Sequence, residues 1–380
     1  MSSPIDELLS LPPFGVAPDV KSAALLAAVH EAMAFHCGHC APFARWCTKQ
    51  GFDPGIPISD LAAVPFLPVG IFKRLLLSSV PQSEIVRVLT SSATSSQVPS
   101  RIPLDQVTRN RQMRTLASIL SSLLGVERRA FIVLDAPPDA AANGDQELSA
   151  RVAGMRGYLM AAAQKEYVLV RDGDHWTLDV DKFRAVVDRW KAEGKRLCLL
   201  GYTYVLHQGV VRPLVERGIR IELPESTVVL HFGGWKRLQD QAVDKASLGA
   251  GLAQVFGLPP SSVRDVYGFT EQLGVIYPDD ADGLKRVPTY AEVLVRNPRT
   301  LEIVPDGQTG LLEFICPLAH SYPGIAILLD DLGRVVTRQA GADGMTGAAI
   351  EVTGRARRAE PRGCGDTLPE GVYAGGSIAP

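Results

Sequence analysis

The segment RAEPRGCGDT (358–367) holds one cysteine, Cys364, between Gly363 and Gly365 and downstream of Arg355, Arg357, Arg358 and Arg362. A thiol reacts as its thiolate, and nearby cations favour that form. Glycines on both sides give the backbone freedom to swing. Such residues suit a reachable nucleophile on a segment that can move. His231, in VVLHFGG, is the candidate base toward this thiol; His207 and His320 are weaker candidates.

Three further stretches hold residues suited to binding chemistry. In VLTSSATSSQVPSR (88–101), Thr90, Ser91, Ser92, Thr94, Ser95 and Ser96 crowd six hydroxyls into seven positions. Loop hydroxyls and amides of this kind cradle phosphate or carboxylate oxygens, although no lysine-bearing Walker loop occurs anywhere in the chain. RDVYGFTEQLG (264–274) gathers Tyr267, Gly268, Phe269, Thr270 and Glu271, while LLDDLGRV (328–335) places Asp330 and Asp331 before an expected turn at Gly333. Paired acids there suit ribose hydroxyls.

FHCGHCAPFARWC (35–47) resembles a zinc site, because Cys37 and Cys40 stand beside two histidines. Leu25, Val29, Met33, His36 and Cys40 recur at helical spacing, however, and no second ligand pair follows. The expectation is therefore an amphipathic helix from about residue 20 with packing cysteines, and no metal site.

These groups need a frame to position them. Residues 1–85 read as mainly helical. Over 86–285, apolar runs ending at Gly or Pro (RAFIVLDAPP, KRLCLLGYT, STVVLHFGG) alternate with helical stretches. One such stretch is 179–194, where Phe183, Val186, Val187 and Trp190 share a face. That alternation predicts a helix-covered α/β sheet with ligands at strand ends. Residues 286–345 read as a β-rich lobe with Asn-Pro and Asp-Gly turns, and 346–380 as a short remnant carrying Cys364.

The chain has 380 residues, 46% of them hydrophobic, and a formal net charge of -2. The near-neutral balance argues against a dedicated nucleic-acid binder. No stretch reaches the about 18 apolar residues of a membrane span, and the N-terminus lacks a cationic start before an apolar run. The expected location is the cytoplasm, where the six cysteines stay reduced.

The order of these stretches resembles the acyl-adenylate-forming superfamily and, within it, the LuxE-type acyl-protein synthetases. VPFLPVGIFK (64–73), LHFGGWKRLQ (230–239), SYPGIAILLDDLG (321–333) and RGCG (362–365) carry the closer likeness. The resemblance implies one large domain of that fold over 1–345 with a truncated C-terminal segment. It places Thr90, Ser91, Ser92, Thr94 and Ser95 at a phosphate loop. It sets Gly233 and Gly234 beside the adenine or acyl group, Thr270 against an adenylate, Glu271 on magnesium and Asp331 on ribose. Arg355 matches the arginine of a hinge-proximal motif, and Cys364 the acyl-carrying cysteine. Tyr202, with Tyr204, Phe232, Trp235, Tyr267 and Phe269, would suit an aryl group.

Two departures from the superfamily pattern bear on the reaction. Ala93 and Ser96 stand where glycines are expected, and no lysine follows Lys285. The first favours an acyltransferase that forms a thioester on Cys364 from a coenzyme A thioester, aryl or fatty, and passes it to an acyl carrier protein; the second agrees with Cys364 as the working thiol. A starter-unit step of aromatic polyketide assembly would be one such role. The alternative retains ATP and magnesium: adenylation of a carboxylic acid, loading of Cys364, and delivery to an acyl-accepting reductase. A third reading is a non-catalytic scaffold.

Overall fold

A computed structural model describes residues 3–91, 99–137, 147–172, 175–235 and 242–356. These form two compact units. One comprises 3–91, 99–123, 147–157 and 267–356; the other comprises 124–137, 158–172, 175–235 and 242–266. Cys364, Ser92, Thr94 and Ser95 lie outside the described residues.

The second unit is the helix-and-sheet part expected from the alternating pattern. Its parallel strands run in the order Val263–Tyr267, Val228–Phe232, Leu197–Tyr202, Arg129–Leu134 and Ala162–Tyr167. Arg129–Leu134 and Leu197–Tyr202 are buried along their whole length, as continuous apolar runs in a parallel sheet should be. The helix Val180–Ala192 starts where the Asp179 carboxylate accepts from the Lys182 amide at 2.9 Å, and it buries Phe183, Val186, Val187 and Trp190. The helix Lys245–Phe256 is capped likewise by Asp244 and stops at Gly257, whose φ of 69° few other residues would accept.

In the first unit the β-rich lobe is a mainly antiparallel sheet. Its strands follow the order Lys285–Arg286, Ala349–Arg355, Ala326–Thr337, Gly310–Ile315 and Glu292–Arg296, with Leu67–Pro68 paired parallel to the long central strand. Buried ion pairs pin it: Arg286 to Asp280 at 2.5 Å, Lys285 to Asp279 at 2.8 Å, and Arg296 to Glu313. The expected turn at Gly333 does not occur. The strand Ala326–Thr337 runs straight through Asp330, Asp331 and Gly333, because partner strands hold it on both edges. Gly333 serves close approach instead: a Cβ there would lie 2.4 Å from the Glu351 carbonyl oxygen.

The long helix is Pro18–His39, with Leu25, Val29, Met33 and His36 buried as its spacing predicted. Cys40 falls just outside it, in extended conformation at the start of the next helix, Ala41–Lys49. His36 accepts a hydrogen bond at Nδ1 from the Ser79 hydroxyl (2.7 Å) and donates from Nε2 to the Ala319 carbonyl (3.1 Å). Burial pushes its pKa down to about 3. Nearby, the buried Asp105 contacts His320 Nδ1 at 2.5 Å and accepts from the Thr108 amide at 2.7 Å. Burial alone would raise the Asp105 pKa, but these hydrogen bonds outweigh it and hold the group at about 2. Among the described residues no helix is long and apolar enough to cross a membrane.

Both shifts give the fold an acid limit. A neutral buried histidine binds its proton more weakly than in the unfolded chain, so its contribution fades as pH falls from about 6.5 toward 3. Asp105 adds a second loss, on the order of 2 kcal/mol, between about pH 4 and 2. Urea unfolding measured across these pH values should show stability declining in both windows, and Asp105→Asn should flatten the lower one.

Candidate functional site

Two clusters contain most of the sequence-selected residues that are described, one in each unit. In the first, the strand Val263–Tyr267 delivers Tyr267, and Asp331 and Arg355 come from neighbouring strands in which they are direct register partners. Tyr267 donates from its hydroxyl to Asp331 Oδ2 at 2.6 Å, and Arg355 donates from Nε to Asp331 Oδ1 at 2.7 Å. Burial raises the Tyr267 pKa well above its ordinary value, and the Asp331 charge raises it further. Tyr267 is thus held as a neutral donor to a charged carboxylate, a strong hydrogen-bond type.

An apolar wall stands behind this triad. Tyr267 packs within 5.9 Å of the Phe314 ring and 6.1 Å of the Tyr277 ring, centroid to centroid, and Phe269 stacks parallel to Tyr277 at 6.4 Å. Thr270, Glu271 and Gln272 then form one short 3₁₀ turn, all buried. Its backbone is tied down: Tyr322 donates to the Glu271 carbonyl at 2.7 Å, and Gln272 Nε2 bonds the carbonyls of Phe314, Gly324 and Ile325. Gly274 closes the turn at φ 101°, and a Cβ there would sit 2.6 Å from Gln112 Cα. Gly268, by contrast, is not sterically required, since a Cβ there would make only ordinary contacts.

The second cluster surrounds the end of Val228–Phe232. His231, 3% exposed, shares a hydrogen bond at Nδ1 with the Thr203 hydroxyl (2.9 Å) and lies 3.5 Å from Asp265 Oδ1. Strand register explains the meeting, because His231 pairs with Gly201 on one side and Asp265 on the other. Gly233 and Gly234 follow with φ of 92° and 57°. Tyr202, fully buried, packs under this turn. A Cβ on Gly233 would meet its ring at 2.8 Å, and Phe232 stacks on Tyr158 while lying tilted against Tyr202. Tyr202 therefore shapes the glycine turn from beneath. Sequence reasoning missed the π-helix Val205–Val211, which sets the His207 ring edge-on to Trp235 at 5.2 Å. Nothing in residue type or spacing distinguishes it from an α-helix.

At the hydroxyl-rich stretch only the neck is described. Thr90 ends its strand paired with Arg101, the Ser91 amide donates to the Ser100 carbonyl at 3.1 Å, and the Ser91 hydroxyl accepts from the Ser100 amide at 2.8 Å. The Ser91 side chain thus ties Ser91 to Ser100 across the two described ends of the stretch.

The family profile described as "Acyl-protein synthetase, LuxE" matches residues 1–372. The chain belongs to the LuxE family. A long-chain-fatty-acid–luciferin-component ligase of Vibrio harveyi is 24% identical over 347 residues, which cover 91% of this chain and 87% of that protein. The ligase of the same name from Aliivibrio fischeri is 24% identical over 340 residues, covering 88% and 85%. Among solved structures, an open conformation of 2-hydroxyisobutyryl-CoA ligase, in complex with 2-HIB-AMP and CoA, superposes with a TM-score of 0.63. It is 16% identical, over 90% of this chain and 76% of that one. The fold is that of the acyl-adenylate-forming enzymes, as the LuxE resemblance implied.

The triad in this LuxE-family chain has a direct structural test. Tyr267→Phe removes one donor to a charged acceptor and leaves the ring in place, so urea unfolding should show a loss of about 1.5–3 kcal/mol. An unchanged midpoint would mean that Arg355 alone satisfies Asp331.

Proposed function

We propose that this protein is an ATP-dependent acyl-protein synthetase. It would adenylate a carboxylic acid, capture the acyl group on Cys364, and deliver it to an acyl-accepting partner protein, for which a reductase is the leading candidate. The observation that carries this reading is the family match over 1–372. The assembled Tyr267–Asp331–Arg355 triad supports it. Both luminescence relatives are ligases of a long-chain fatty acid by name, which makes a fatty acid the first acid to try.

The residues present suit a nucleotide. Asp331 has each oxygen engaged once by Tyr267 and Arg355, and a carboxylate offers about four acceptor positions. It keeps capacity for ribose hydroxyls while its two protein donors hold it in place. Glu271, on a turn fixed through its own carbonyl, would hold magnesium, which supplies charge neutralisation at the phosphates. Gly233 and Gly234 already have the left-handed backbone that allows close approach of a flat ligand to the main chain.

Bond changes in the proposed reaction balance without a further reactant. A carboxylate oxygen attacks the α-phosphorus of ATP and pyrophosphate leaves. The Cys364 thiolate then attacks the acyl carbon, the bond to AMP breaks, and a thioester remains. Arg355, Arg357, Arg358 and Arg362 supply positive charge within ten residues of the thiol, favouring the thiolate. His231 is a proposed base for that step, oriented through Nδ1 by Thr203. Thr90 and Ser91, with Ser92, Thr94 and Ser95, are proposed to face the phosphates.

The acyltransferase reading drew on Ala93 and Ser96, which lie outside the described residues. It has less support, since the named relatives are ligases. Intact mass after incubation with ATP, magnesium and a pool of fatty and aromatic acids should show an acyl adduct, mapping to Cys364 and absent in Cys364→Ser. An adduct formed only from acyl-CoA would overturn the synthetase in favour of a transferase to a carrier protein. Asp331→Asn should lower kcat/KM for ATP by about 10- to 100-fold, the equivalent of one charge-assisted contact. A change below twofold would remove Asp331 from the nucleotide site.

A further inference from the structure

The connection between the strands Gly310–Ile315 and Ala326–Thr337 is buried, which a loop rarely is. From Leu312 to Leu329, His320 alone is not buried. Interior backbone groups need partners, and the start of the helix Gln106–Leu124 supplies several of them. The Thr108 hydroxyl accepts from the amides of His320 (2.9 Å) and Ser321 (3.0 Å). The Ser321 hydroxyl donates to the Pro103 carbonyl at 2.8 Å, so in its 2.9 Å contact with Thr108 it is Thr108 that donates. The one donor and two acceptor positions of the Thr108 hydroxyl are then filled. The Ser79 amide adds a bond to the Ser321 carbonyl at 2.8 Å.

Asp105 enters this network at two points. Its Oδ1 accepts from the Thr108 amide at 2.7 Å, and its Oδ2 lies 2.5 Å from Nδ1 of His320, whose ring stacks on Phe35 at 4.5 Å. One carboxylate thus fixes both the residue that grips the connection and the residue at its open point. The other end of the connection carries the Thr270–Gln272 turn. Tyr322, two residues after His320, donates to the Glu271 carbonyl at 2.7 Å, and the carbonyls of Gly324 and Ile325 accept from Gln272 Nε2 at 2.9 and 3.2 Å. Tyr322 is closely confined: it is 1% exposed and meets Phe72 edge-on at 6.0 Å, and a Cβ on Gly324 would come within 2.4 Å of its ring. A shift at His320–Ser321 is therefore passed on to Glu271. All of these residues belong to the first unit.

We propose that Asp105 and His320 are positioning residues for the Glu271 carboxylate, acting through this buried connection. The inference rests on the proposed role of Glu271 at magnesium. Thr108 and Ser79 satisfy the backbone at 320 and 321 without the imidazole. The contact between Asp105 and the His320 ring is thus not what allows burial; it fixes where the connection sits.

The test uses the full chain and needs no turnover. Hydrogen–deuterium exchange of the peptide 268–276, without nucleotide, should be about tenfold faster in His320→Ala than in wild type, while the strand Leu197–Tyr202 keeps its rate. His320→Asn retains a side-chain donor near the place of Nδ1 and should restore slow exchange. With ATP present, manganese binding, read from loss of the free-ion EPR signal, should weaken about tenfold in His320→Ala, Tyr322→Phe and Glu271→Gln, as loss of a group that orients a metal ligand does. Unchanged exchange in His320→Ala would overturn the proposal, and so would equal loosening by Ala and Asn, which would trace the effect to ring stacking. Weakened manganese binding in Glu271→Gln but not in His320→Ala would overturn this inference alone. Unchanged binding in Glu271→Gln would overturn the magnesium reading, and the inference with it.

Discussion

The carboxylate of Asp331 is the constraint that organises the first unit's candidate site. It lies in the middle of the longest strand, pairs across the sheet with Arg355, and receives the Tyr267 hydroxyl at 2.6 Å. Each partner fixes a different piece of chain. Arg355 sets the register of the final described strand, and Tyr267 sets the entry to the Thr270–Gln272 turn. A charge at this position would be costly if unpaired. Two donors satisfy it, and the same two donors orient it. Stability and positioning therefore come from one set of contacts, with the rings of Tyr277 and Phe314 packed against Tyr267.

The second unit solves the corresponding problem with backbone instead of charge. Its central strands Arg129–Leu134 and Leu197–Tyr202 are buried along their whole length, and the candidate groups gather near strand ends. There His231 meets Thr203 and Asp265 because register leaves it opposite Gly201 and Asp265. Glycine at 201 is itself a packing requirement: a Cβ there would come 2.9 Å from the Leu134 Cβ. The left-handed Gly233–Gly234 turn is seated on the buried Tyr202 ring, which prevents it from relaxing into a wider loop.

Much of this was readable in the sequence where periodicity is strong. The Leu25–Val29–Met33–His36 stripe and the Phe183–Val186–Val187–Trp190 face report burial directly, and apolar runs such as LCLLGY can hardly be anything but interior strands. The family itself was legible from strings such as SYPGIAILLDDLG. Local reasoning failed at Asp330–Asp331–Gly333, where acid, acid and glycine imitate a turn. Edge pairing on both sides overrides that local preference. The Tyr267–Asp331–Arg355 triad was visible only as three separate residues, because their meeting depends on cross-strand register.

The π-helix Val205–Val211 bears on how this chain is compared with others. Its hydrogen bonds span one residue more than those of an α-helix, so it accommodates an extra residue without a loop. A relative with an ordinary α-helix there would align with a one-residue gap in the middle of the segment. Such a gap would record a change of helix type beside Tyr204 and His207, with the flanking strand and the Arg212–Glu216 helix still in phase. Alignments that push the gap into a neighbouring loop would misassign which side chain stands against Trp235, the position held here by His207.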